Sequence, residues 1–233
     1  MSNLPNLQNP RAVEFLTSAR ETHERQAAEF PKMIAARKPR FDYQNLPDTQ
    51  RLSYELLSWD NYLQMLDLFE NDPNPFVSKE FKTRNQLEMY AVSQLEYNWY
   101  SFKRGACDWF LRLRETQELV GILHVYNLNW ELYNGKHPAC AIGYGITEKF
   151  RRQGFATEAT AHLLVQIPLI FKRYEVFANP EMKNIASRRL LENLDFVEKT
   201  EHEEKDSWWY KQLVADIPLK TSEEVWEEEA KYR

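Results

Sequence analysis

Gly143-Tyr-Gly-Ile-Thr-Glu-Lys-Phe-Arg151-Arg152-Gln153-Gly154-Phe155-Ala156-Thr157-Glu-Ala-Thr-Ala161 runs from a glycine-bearing apolar strand, through a basic turn, into an alanine-rich helix. A strand that turns directly into a helix aims the helix's first backbone N–H groups, which have no intrahelical acceptor, at whatever lies before it. The positive end of the helix dipole acts at the same place, so the junction suits a phosphate-type anion. Gly154, lacking a Cβ, lets the backbone approach such a group closely, and Ala156 keeps the next contact small. A capped strand-to-helix turn with no ligand satisfies the same residues and stands as the alternative.

A second block lies downstream. Asn184-Ile-Ala-Ser187-Arg-Arg-Leu-Leu191-Glu-Asn-Leu-Asp195-Phe196 follows a short strand near Arg173 to Ala178. Asn184 is a good helix cap, and Ala186, Leu190, Leu191 and Leu194 form an apolar stripe. The spacing Arg151, Gly154, Ala156 resembles the acyl-CoA pyrophosphate loop of the GNAT N-acetyltransferase superfamily, and Gly-Phe-Ala-Thr-Glu-Ala looks like its RimJ/RimL-type branch. The Asn184–Ser187 pair resembles that family's later helix opening. Asp195 departs from the usual glycine there, at a turn Asp can make in the left-handed conformation.

The resemblance implies acetyl-CoA as acetyl donor, held by Ile146, Arg151, Arg152, Gln153, Gly154, Phe155, Ala156, Thr157, Asn184 and Ser187. It also implies that the strand bearing Gly143 and Gly145 splays from the next parallel strand to admit the pantetheine arm, with a backbone donor near Ile146 polarising the thioester. Glycines in a strand fit a bulge or a close backbone approach. Many relatives place a tyrosine proton donor seven residues after the helix Asn, where this chain has Leu191; RimL-like enzymes use the serine three residues on, which makes Ser187 the catalytic candidate. The acceptor implied is a primary amine, on a protein N-terminus or a small molecule, attacking directly in a ternary complex. The glutamate that relatives often carry in the middle strand is replaced by Ala141, leaving Glu175, His124, His202, Glu203 and Tyr210 as candidate bases by chemistry alone. Loss of that tyrosine and glutamate leaves a second class open, a catalytically silent member binding acyl-CoA or a partner protein.

Composition sets the bounds. With 233 residues, 43% hydrophobic and 28% charged, the chain is globular and long enough for one well-buried domain with appendages. No run approaches the roughly 20 apolar residues of a membrane span, and the start lacks a secretion signal, so a cytoplasmic protein is expected. A net charge of −5 argues against nucleic-acid partners. The isolated Cys107 and Cys140 suggest buried free thiols, not a disulfide or a metal site. The dispersed His23, His124, His137, His162 and His202 do not have zinc spacing.

Three parts are expected: a polar helical N-terminal extension (1–47), the acetyltransferase domain (48–216) and an acidic helical tail (217–233). In the first, Asn9 caps a helix with Pro10 at its first position and Val13, Leu16 and Ala19 along one edge. The central part reads as strand, two helices, three antiparallel strands, helix, strand, helix and two strands. That is an α/β fold, a mixed and largely antiparallel twisted sheet flanked by helices. Pro168 is expected to kink or end the cradle helix near Gln166. Trp109 and Trp208-Trp209-Tyr210 are expected in the core or in an acceptor-pocket wall. The acidic tail offers Trp226 as an anchor, and a homodimer is compatible with the extensions.

Overall fold

The computed structural model describes residues 5–29, 45–97, 105–128, 139–199, 205–216, 223–224 and 227. Contacts divide the chain into two compact units, one of Met1–Arg40, Leu57–Arg104 and Trp226–Arg233, the other of Phe41–Leu56 and Gly105–Val225.

The second unit holds the sheet. Its strands are β1 (Leu52–Leu56), β2 (Cys107–Leu113), β3 (Leu119–Tyr126), β4 (Ala139–Ile146), β5 (Glu175–Ala178), β6 (Val197–Glu198) and β7 (Trp209–Gln212), in the spatial order β1-β2-β3-β4-β5-β7-β6. All neighbours are antiparallel except β4 and β5. Between β4 and β5 runs a helical crossover, as a parallel pair requires, and this is the mixed sheet expected from the sequence. One face buries Trp109, Leu111, Leu123, Val125, Cys140, Ile142 and Val176 in the main core. The opposite face carries a smaller cluster of Ala139, Ala141 and Phe177, with Tyr126, Trp208 and Tyr210 packed on it. Trp109 and Trp209 therefore belong to the main core, and Trp208 and Tyr210 to the other side of the sheet.

The crossover helix (Phe155–Ile170) sets Phe155, Ala159, Leu163 and Ile167 at four-residue spacing into the main core, while Val165 and Leu169 stay exposed. It does not finish near Gln166. Pro168 lies in its last turn, where a missing N–H costs one bond only, and Phe171 N–H still closes on Ile167 O at 2.9 Å. A second helix (Ile185–Asn193) starts at Asn184, whose Oδ1 accepts from Ser187 N–H, and ends before Asp195 at φ 58°. That residue adopts the left-handed turn expected of it.

The first unit is helical, with α1 (Pro10–Glu29), α2 (Gln64–Phe69) and α3 (Arg84–Val92); in chain order the two crossover-side helices are then α4 (Phe155–Ile170) and α5 (Ile185–Asn193). Asn9 caps α1 as expected, its Oδ1 accepting from Arg11 N–H at 3.0 Å. The buried edge is Ala12 and Leu16, packed with Val92, whereas Val13 is exposed. A helix repeat of 3.6 residues carries Val13 off the Ala12–Leu16 line. Glu88, wholly buried, ties the entry of α1 to α3 by accepting from the backbone N–H groups of Gln8 and Asn9 and from Arg84 Nε. Among the described residues no helix is long and apolar enough to cross a membrane. Pro31, Trp226 and nearly all of the acidic tail lie outside the described residues.

One backbone contact fixes the centre of the sheet. A Cβ placed on Gly121 of β3 would lie 2.0 Å from the carbonyl oxygen of Gly145 on β4, and no rotamer relieves a clash with backbone. Gly121→Ala is expected to lower unfolding stability by at least about 1–3 kcal/mol, the ordinary cost of overpacking. Urea denaturation checks this, and an unchanged midpoint would show that β3 and β4 can part there freely.

Candidate functional site

The parallel pairing of β4 and β5 is short. It consists of Ala139 with Glu175, Cys140 with Val176 and Ala141 with Phe177. Beyond Ala141, β4 continues to Ile146 paired only with β3. Thr147 N–H donates to Val120 O at 3.0 Å, and antiparallel alternation then turns the backbone groups of Ile142, Tyr144 and Ile146 toward the edge that β5 has left. Arg151 Nε donates to Ile146 O at 3.0 Å on that edge. The result is a sheet that opens into a V, with strand amides lining one arm.

At the end of β4 the chain makes a single 3₁₀ turn (Glu148–Phe150) and reaches the basic loop. Arg152 (φ 62°) and Gly154 (φ 82°) both take left-handed backbone conformations. Gly154 is the N-cap of α4 and, having no side chain, caps nothing. The N–H groups of Phe155, Ala156 and Thr157 are the first-turn donors of a 16-residue helix and receive no side-chain cap. These donors follow directly on Arg151 and Arg152 in the chain, a set of groups chemically suited to an anion.

The loop is braced from β1's approach. Thr49 Oγ1 donates to Glu158 Oε1 at 2.6 Å, and Arg51 donates from Nε to Glu158 Oε2 at 2.6 Å and from Nη1 to Gln153 O at 2.9 Å. The same guanidinium lies 4.3 Å from the centroid of the Phe155 ring. Burial pushes the Glu158 carboxyl up, but the hydrogen bonds from Thr49 and Arg51 outweigh it and hold the group below its ordinary value.

Ser187 sits in the first turn of α5. Its Oγ lies 2.7 Å from Tyr144 Oη, so a side chain of β4 is joined to the start of α5. Burial pushes the Tyr144 phenol up to about 12, against a lowering by the Ser187 hydrogen bond, so it stays protonated at neutral pH. Leu191, where a tyrosine would be looked for, is wholly buried in the main core.

A family model for the acetyltransferase (GNAT) domain matches residues 51–197, well over half of the chain. The chain belongs to the GNAT family. As a GNAT acetyltransferase it uses acetyl-CoA as donor, and the uncapped amides, the basic loop and the open edge of β4 fit that cosubstrate's diphosphate and amide-bearing arm. Among solved structures, RimL, a ribosomal L7/L12 α-N-protein acetyltransferase in complex with coenzyme A, is 14% identical with a TM-score of 0.57, covering 74% of this chain and 100% of its own. A ribosomal-protein-S5-alanine acetyltransferase from Vibrio fischeri is 14% identical with a TM-score of 0.58, covering 75% and 98%. A spermidine N-acetyltransferase from Vibrio cholerae is 14% identical with a TM-score of 0.55, covering 71% and 95%. At such identities these likenesses speak for the fold. No curated protein matches the sequence significantly.

The GNAT fold thus sets Arg151 to Gly154 in the loop before α4 and Phe155 to Thr157 in its first turn, puts Ile146 at the end of β4, and sets Asn184 and Ser187 at the opening of α5. Of the candidate bases, Glu175 pairs with Ala139, at the closed end of the V, and Tyr210 packs on Phe177 at 6.1 Å between ring centroids. His202 and Glu203 lie outside the described residues. Both cysteines are buried, with burial pushing Cys140 up to about 12 and Cys107 well above its ordinary value, which removes them as nucleophiles. Arg51 and Thr49 lie in no motif, and only the fold reveals that they hold Glu158 and that Tyr144 meets Ser187.

Because Glu158 is held below its ordinary value in the folded chain, its contribution to stability is complete above the unfolded carboxylate range and is lost as pH falls through the folded value. The gap in melting temperature between wild type and Glu158→Gln is expected to be full at pH 7 and to close below about pH 4. A gap that stays constant over that range would show that Glu158 acts through shape and not charge.

Proposed function

We propose that this chain transfers the acetyl group of acetyl-CoA to a primary amine, of a protein N-terminus or a small molecule, by direct attack in a ternary complex. The observation that carries the reading is the parting of β4 from β5 immediately upstream of an uncapped helix N-terminus. One strand then offers amides to the arm of the coenzyme and leads straight to donors for its diphosphate. Cofactor contacts are assigned to Ile146, Arg151 to Thr157, Asn184 and Ser187. The likeness to RimL and to the S5-alanine enzyme supports a RimJ/RimL-like acceptor, and the likeness to the spermidine enzyme keeps a polyamine in the panel.

The amine lone pair attacks the thioester carbon, forming a C–N bond and an oxyanion that the strand amide near Ile146 stabilises. Collapse breaks the C–S bond. The proton still carried by nitrogen leaves to solvent, the coenzyme thiolate takes one from Ser187, and Ser187 recovers a proton from solvent, with the Tyr144 phenol, kept neutral by burial, holding the serine hydroxyl by its hydrogen bond. Alignment of the two substrates supplies much of the acceleration, since well-oriented reactants can gain roughly 7–11 kcal/mol.

Saturating acetyl-CoA is expected to raise thermal stability, by about 2.7 kcal/mol at a hundredfold excess over Kd. Ser187→Ala is expected to lower turnover at saturating acetyl-CoA, followed as free thiol with a panel of N-terminal peptides and spermidine, by more than tenfold. Unchanged turnover would remove Ser187 from the chemistry. Coenzyme binding by wild type without transfer to any amine would identify the silent binder, and no binding at all would overturn the whole reading.

A further inference from the structure

The base side of the reaction is not filled by any family position in this chain, yet the sheet places a paired histidine and aspartate next to the V. Asp108 on β2 is directly opposite His124 on β3, and His124 is directly opposite Gly143 on β4. The three form one row across the sheet. Within it the His124 Nδ1 and the Asp108 Oδ1 are hydrogen-bonded, with the side chains only 14% and 4% exposed. Gly143 stands two residues past Ala141, the last residue of β4 paired to β5, so the row ends at the opening.

The ring orientation gives the row a direction. A Cβ on Gly143 would lie 3.5 Å from His124 Cδ2, the carbon bonded to Nε2, and 3.8 Å from the Tyr126 ring. The imidazole thus turns Nδ1 toward β2 and its Cδ2–Nε2 edge toward the parted strand. Gly143 has no side chain to stand between that edge and the strand. A carboxylate that accepts from Nδ1–H fixes the tautomer with the lone pair on Nε2. Among the described residues, the titratable groups facing the ring include Asp108 on β2 and Tyr126 on its own strand, the latter pushed up to about 12 by burial and donating to Asn179 Oδ1 at 3.2 Å; β4 contributes Gly143 and Ala141.

We propose that His124 is the general base that takes a proton from the acceptor ammonium and that Asp108 is its positioning residue, an assignment resting on the acetyltransferase reading above. The ammonium N–H bond breaks and its proton goes to Nε2. The freed lone pair attacks the thioester, the C–S bond breaks, the second nitrogen proton balances the one given to the thiolate, and His124 returns its proton to solvent. The products are the amide, free coenzyme A and one released proton.

The test uses the full chain, with acetyl-CoA affinity by calorimetry as the control for folding. Turnover of a peptide N-terminal amine is followed as kcat/KM against pH for wild type and each variant. His124→Gln is expected to lose about a hundredfold at pH 7, at the lower end of general-base effects, with coenzyme affinity within twofold. It is expected to recover toward the wild-type rate only above the amine's own ionisation, about pH 8 for an α-amine and about 10.4 for a lysine-like one. Asp108→Asn, which permits the other tautomer, is expected to lower kcat without changing the KM for acetyl-CoA, and Asp108→Glu to restore part of it. A His124→Gln enzyme as active as wild type at pH 7, or one depressed equally at every pH, overturns the assignment while wild-type turnover leaves the acetyltransferase reading standing. Wild type that binds acetyl-CoA and acetylates nothing overturns both.

Discussion

The parting of two parallel strands after three residue pairs is the constraint on which the rest depends. A parallel ladder normally consumes the backbone donors and acceptors of both strands, and an unpaired edge is costly unless water or another chain fills it. Here β5 stops following β4 after Ala141 and Phe177, while β4 goes on for five more residues. Tyr144 is one of them, and its hydroxyl reaches Ser187 at the opening of α5. Past the end of the ladder β4 is therefore tied to the start of α5 by a side-chain hydrogen bond.

The cradle follows from the same economy of partners. Serine, threonine or aspartate at an N-cap would turn a side-chain oxygen onto the first amides and satisfy them within the protein. Gly154 cannot, and its left-handed backbone suits the residue. A glutamate in the first helical turn would repel an approaching anion, yet Glu158 is held by Arg51 and Thr49, a contact between residues more than a hundred positions apart. The Glu158 charge is thereby answered by Arg51 within the protein.

Much of this was legible in the sequence because it is local. Asn184 caps α5 and Asp195 makes the left-handed turn, both from short-range chemistry. Pro168 misled because its effect depends on how many turns follow it, and here almost none does. Partners set by tertiary contact were not legible: Leu191 at the tyrosine position gives no hint that a phenol arrives instead from β4. The Asp108–His124 pair was hidden by register. Counting back from the hairpin pair Arg112–Leu119 sets Asp108 opposite Leu123, but the register shifts at Leu111 and Arg112, leaving Val120 as an extra residue on β3 and moving His124 into place. A shift by one residue changes which face a side chain meets, so only the bulge decides whether that histidine has a carboxylate.

Alternation along β4 also separates the two proton transfers that acetylation needs. Tyr144 lies on the main-core side with Ser187, and its neighbour Gly143 meets His124 and Tyr126 on the other side. On the proposed reading, a thioester threaded through the V has a proton acceptor on the face from which the amine comes and a proton donor on the face to which the thiolate leaves. Placing both groups on one side would let the base capture the donor's proton and quench each. Gly143 and Tyr144, consecutive on β4, point to opposite faces by the pleat alone, so the sheet itself stands between His124, opposite Gly143, and Ser187, bonded to Tyr144.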